Sequence, residues 1–103
     1  MTPESRLKNN IMVSCGSRGW VCFHINVGSV RLPDGSFFST GVPEGWPDLL
    51  ILTNDGRAMF VETKIKPRRA SDEQLKMIAR LRSLGFKADV IYSIEQFERF
   101  ATS

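Results

Sequence analysis

Cysteine, histidine and long apolar runs are scarce in this chain. There are two cysteines, Cys15 and Cys22, and one histidine, His24. Two cysteines make no disulfide framework. A structural zinc site takes four Cys/His ligands, and only three are on offer. Zinc is therefore not expected, and the thiols read as reduced core residues. No wholly apolar run, Leu49 to Leu52 included, is longer than four residues, far too short for a membrane span. Met1 to Asn10 is polar and has no signal-peptide core, so a cytoplasmic location without membrane attachment is expected. No repeat or low-complexity tract is present.

What remains is an ordinary folded composition, with 42% apolar and 24% charged residues. The 103 residues suffice for one core, so a single domain spanning 1–103 is expected. Net charge is +3, which decides little. The distribution says more: ten of the fourteen Lys/Arg lie between Arg57 and Arg99, and Lys64, Lys66, Arg68 and Arg69 are nearly together. Such a cluster can hold phosphates, or be a solvated loop.

Thr2-Pro3-Glu4 reads as a helix start, with Leu7, Ile11 and Cys15 on one face and Gly16 and Gly19 as stops. Trp20 to Val27 reads as a strand with Val21, Phe23, Ile25 and Val27 alternating. Leu32-Pro33-Asp34-Gly35 marks a turn, the tip of a small hairpin between Val30 and Phe38. Pro47 to Thr53 and Arg57 to Ile65 read as strands joined by the tight turn Asn54-Asp55-Gly56. Ser71 to Leu84 is a helix closed by Gly85, Lys87 to Tyr92 a strand, and Ser93 caps a last helix. The order α-β-β-β-α-β-α predicts an α+β or mixed α/β fold, with helices on a four-stranded sheet.

Four polar residues fall where apolar ones are expected. Asp48 opens the second core strand, in alternation with Leu50 and Leu52. Glu62 alternates with Phe60 and Lys64 in the third. The hairpin makes these strands antiparallel neighbours and brings Asp48 near Glu62 and Lys64. Two close carboxylates repel unless a cation joins them. Oxygen ligands suit Mg²⁺ or Mn²⁺, with Lys64 placed to hold a water or neutralise a phosphate. Glu4 shares the helix face of Leu7 and Ile11, and Gln74 falls within the apolar stripe of the second helix. Each has a plainer reading. Asp48 could bond local backbone, Glu62 and Lys64 could pair on a solvated face, and Glu4 could favour a helix N-terminus. Ser71-x-x-Gln74 is also a capping box.

Gly45-Trp46-Pro47-Asp48-Leu49, then Phe60-Val61-Glu62-Thr63-Lys64, then Ser71 with Gln74, resembles the PD-(D/E)XK nuclease superfamily. Within it the chain is similar to the virus-type replication-repair nuclease, or VRR-NUC, domain in a stand-alone form. The resemblance implies a restriction-endonuclease-like αβββαβ core with a four-stranded mixed sheet. It implies that Asp48 and Glu62 bind a divalent metal, Mg²⁺ or Mn²⁺, with the Thr63 carbonyl as a further ligand and Glu4 supporting the metal or its water. Lys64 would position the attacking water, and Gln74 would support the site. The implied activity is endonucleolytic cleavage of DNA phosphodiesters in a bacterial or phage-infected cell. Lys66, Arg68 and Arg69 would contact the DNA backbone.

One small site per chain favours a homodimer that cuts branched DNA such as Holliday junctions, with Phe37, Phe38 and Trp46 as candidate dimer surface. His24 carries no assigned role. Two alternatives stay open: a nucleic-acid-binding module that keeps the nuclease fold without cleaving, and an interaction protein with an ordinary Glu62–Lys64 ion pair.

Overall fold

The structure is a computed structural model that describes all 103 residues, Met1–Ser103. Helix α1 (Pro3–Ser17) starts as the sequence predicts. The Thr2 hydroxyl accepts the Ser5 N–H at 3.1 Å, and Pro3 sits in the first turn. The helix runs through Gly16 and ends at Arg18 and Gly19, where Gly19 takes φ +76°. Gly16 is therefore no stop. A helical glycine costs about 1 kcal/mol against alanine, less than burying Leu7, Ile11 and Cys15 contributes.

The elements that follow are β1 (Val21–His24), β2 (Ser29–Arg31), β3 (Phe37–Ser39), β4 (Leu49–Leu52), β5 (Ala58–Thr63), α2 (Asp72–Ser83), β6 (Lys87–Ile91) and α3 (Ile94–Thr102). Four strands form one sheet in the order β1-β4-β5-β6. β1 with β4 and β4 with β5 are antiparallel, while β5 with β6 is parallel. This is the mixed sheet flanked by helices of a restriction-endonuclease-like αβββαβ core, with α3 added. β2 and β3 make the separate hairpin, pairing Val30 with Phe38.

Alternation along β4 and β5 divides the core in two. On one face, Leu49, Ile51, Met59 and Val61 pack with Ile11 of α1 and Phe97 of α3. On the other, Phe60, Ala88 and Val90 pack under Ile78 and Leu81 of α2. α2 lies chiefly over β6. The same face of β1 and β4 is left open, so Val21, Phe23 and Leu52 are exposed. β1 also ends at His24, short of the expected Val27. Trp46 is not free surface. It packs edge-to-face on Phe60 at 5.6 Å, whereas Phe37 and Phe38 are exposed.

Two junctions position the site. The turn at Gly56 (φ +85°) closes the β4–β5 hairpin with Leu52 opposite Ala58. Gly45 (φ +86°) lets the segment before β4 press against α2, where a β-carbon would stand 2.8 Å from the Glu73 carbonyl oxygen.

Candidate active site

The β4–β5 register pairs Leu49 with Val61, so Asp48 lies one step further out, opposite Glu62. Alternation had aligned Asp48 with Leu50 and Leu52, but β4 begins only at Leu49. Ahead of it the carboxylate is gripped by β5. Oδ1 accepts the Thr63 N–H at 3.1 Å, and Oδ2 accepts the Thr63 hydroxyl at 2.7 Å. The plain reading of Asp48 as a local backbone bonder is thus replaced by a link across two strands.

Glu62 and Lys64 do not pair on a solvated face. Glu62 is 4% exposed and Lys64 9%. The Lys64 Nζ stands 3.7 Å from Glu62 Oε2. Gln74 does two jobs with one amide. Its Oε1 accepts the Ser71 N–H at 2.8 Å, completing the capping box, while its Nε2 donates to Glu62 Oε2 at 3.3 Å. A glutamine in the first turn of α2 is therefore both cap and clamp.

Burial is the main force on Glu62 and pushes its pKa up, with the Asp48 charge adding to it. Lys64 and Lys8 pull the other way, and the pKa settles at about 7. A carboxylate whose charge is this poorly compensated is one that a cation would relieve.

Lys8 was not singled out from sequence. Its Nζ lies 3.2 Å from Asp48 Oδ2 and 3.5 Å from His24 Nε2. The available signal was its place one turn after Glu4 on the same side of α1. Glu4 itself is drawn elsewhere, with Oε2 lying 3.9 Å from the Arg68 guanidinium. It reaches the pair only through space, as the weakest of the charges acting on Glu62. Lys66, Arg68 and Arg69 are all exposed beyond the end of β5.

Asp48, Glu62 and Gln74 open into a cleft of about 310 Å³ that His24, Glu44 and Trp46 also line. No three His, Cys, Asp or Glu side chains converge into a ready-made metal cluster. The donor set still fits Mg²⁺ or Mn²⁺. Such ions are commonly held by one or two carboxylates and keep several waters, and the burial that disfavours the Glu62 charge is only partly offset by Lys64 and Lys8.

The family model for the VRR-NUC domain matches residues 24–95. The chain belongs to the VRR-NUC family. This places it in the PD-(D/E)XK-like nuclease superfamily, whose members act on nucleic acids and generally use divalent metal ions. The match takes in β4, β5 and α2, includes only His24 of β1, and ends within α3. A solved structure described as a VRR_NUC domain shares the fold, with a TM-score of 0.75 at 23% identity, covering 99% of this chain and 97% of that one. No curated protein matches the chain. No helix of this VRR-NUC domain is long and apolar enough to cross a membrane.

Proposed function

We propose that this VRR-NUC domain is a metal-dependent endonuclease that hydrolyses DNA phosphodiester bonds in the cytoplasm of a bacterial or phage-infected cell. One observation carries the reading: Glu62 is buried beside Asp48 with its pKa raised to about 7, at the wall of an open cleft. An isolated structural ion pair has no use for that arrangement, because it leaves a buried charge under-compensated.

Asp48 and Glu62 would hold Mg²⁺ or Mn²⁺, with the Thr63 carbonyl as a further ligand. An ion held there would supply polarisation of the scissile phosphate and a lowered pKa for a bound water. Thr63 fixes the Asp48 carboxylate through two hydrogen bonds, and Gln74 fixes Glu62 through one. Lys64 orients the attacking water and screens the charge that develops on phosphate. Glu4 would support the metal or its water only by turning from Arg68, and its present pairing links the first turn of α1 to the basic loop. Lys66, Arg68 and Arg69 contact phosphates without reading sequence. Two such chains, joined through the exposed Phe37 and Phe38 of the hairpin, give two sites for paired cuts in branched DNA.

The test is cleavage of a labelled four-way junction beside a matched linear duplex, in Mg²⁺, Mn²⁺ and EDTA, by wild type and Asp48→Ala. Paired metal-dependent cuts in the junction, lost in the variant, are expected. Cuts in linear DNA alone would keep the nuclease and remove the junction preference. Tight binding with no cleavage of any substrate would turn the reading to a binding module. A monomer at micromolar concentration in sedimentation would remove the dimer.

A further inference from the structure

The basic loop does not end at Arg69. Past the mouth of β5, Lys66, Pro67, Arg68, Arg69 and Tyr92 line a cleft of about 330 Å³. A second cleft of about 470 Å³ adjoins it and shares Lys66 and Tyr92. It continues along one side of α3 past Ser93 and Gln96 to Arg99. These three residues recur every third position, so they lie on one helix face. No carboxylate lines either cleft, in contrast to the site cleft with Glu44, Asp48 and Glu62. At the point the two clefts share, the Lys66 ammonium stands 5.8 Å from the centre of the Tyr92 ring.

We infer that this continuous groove binds an unpaired nucleic-acid strand, with Tyr92 as the platform on which a base stacks. Lys66, Arg68, Arg69 and Arg99 supply positive charge along the backbone path. An aromatic face inside a cation-lined groove is of little use to duplex DNA, whose bases are already stacked. It suits a strand whose bases are free, where each stacked base adds measurable affinity irrespective of sequence. Tyr92 is half-buried, packed on the core cluster beneath α2, and held at its backbone. Its backbone N–H donates to Gln96 Oε1 at 2.8 Å, while Gln96 Nε2 donates to the Val90 carbonyl at 2.8 Å. The platform is thereby fixed to both the end of β6 and the first turn of α3. Lys66 now covers the ring, and it can swing to a phosphate as a base takes its place, since it is exposed. This inference deepens the nuclease reading, because it rests on Lys66 to Arg69 contacting phosphates and names the substrate feature they lead to: a single-stranded arm leaving the site.

The experiment is fluorescence anisotropy of the full chain in EDTA, where no cleavage is expected. It compares a blunt duplex with the same duplex carrying a short unpaired tail. The tailed duplex is expected to bind about ten-fold more tightly. Tyr92→Leu should remove most of that gain and Tyr92→Phe should keep it, with blunt-duplex affinity unchanged in both. Arg99→Gln, on the exposed side of α3, should weaken tail binding a few-fold and lower the salt slope by about one phosphate contact. If Tyr92→Leu fails to fold, Arg99→Gln decides alone. Equal affinity for blunt and tailed duplexes would overturn the inference, as would a full tail gain in Arg99→Gln. The two readings fail separately. Lost tail preference with intact Mg²⁺-dependent cleavage sinks only the groove, whereas tail binding without any cleavage sinks only the nuclease.

Discussion

The acidic cleft and the basic groove lie on either side of the same short stretch of chain, from Glu62 to Arg69, and they follow opposite rules. In the cleft, the two central carboxylates are buried or half-buried and have named partners: Asp48 has Thr63 and Lys8, and Glu62 has Lys64 and Gln74. In the groove, Lys66, Arg68 and Arg69 are exposed and replaceable. Low dielectric makes each cleft contact strong and each loss costly, while water and salt dilute each groove contact. The cleft is built for discrimination at one atom, and the groove for summed attraction along a polymer.

That contrast breaks most visibly at Glu62. Glu62→Gln should lower metal-dependent cleavage at least about a thousand-fold, within the range that electrostatic groups supply to catalysis. A single-turnover assay checks it, and ordinary cleavage by the variant would refute the assignment. The same substitution should stabilise the metal-free chain at pH 8, since it removes a buried charge. Thr63→Val comes next. Losing a hydrogen bond to a buried carboxylate should cost about 1.5–3 kcal/mol of stability, measured by urea unfolding.

A smaller effect is expected with pH. The folded pKa of Glu62 lies above its unfolded value, so between about pH 4.5 and 7 the native chain binds more protons than the unfolded one. Metal-free stability should therefore fall as pH rises through that window, and Tm in EDTA should be higher at pH 5 than at pH 8 for this group's contribution. Glu62→Gln should flatten that slope. Lys8→Met should tighten Mn²⁺ binding several-fold in calorimetry, because Lys8 occupies an oxygen that the ion needs. Unchanged binding would refute the competition, and weaker binding would show instead that Lys8 assists. The smallest effects belong to the groove. Arg68→Gln and Arg69→Gln should each weaken DNA binding only a few-fold, with a shallower salt dependence.

Sequence made much of the fold legible because its signals were local. The caps at Thr2, Ser71 and Ser93, the Asn54-Asp55-Gly56 turn and the Val30–Phe38 hairpin each depend on a few neighbouring residues. Glu62, Lys64 and Gln74 were legible as candidates because one hairpin and one cap tie them together. Lys8, Tyr92 and Arg99 were not. They reach their places only through the packing of α1, the end of β6 and α3, and a lysine on a helix looks the same from sequence whether it faces water or a carboxylate. The open face of Val21 and Phe23 was hidden for a related reason, since alternation tells which residues share a face but not whether a helix covers it.

Gly45 carries no charge and contacts no substrate atom in any reading above, yet two separate stretches of chain meet at it. One delivers Asp48 and the other delivers Gln74, and the gap between them admits a hydrogen but no methyl group. Over evolutionary time the surface around the cleft can drift, and the basic loop can trade lysine for arginine. At Gly45 drift should halt, because any side chain would pry the two halves of the cleft apart before it altered a single functional group.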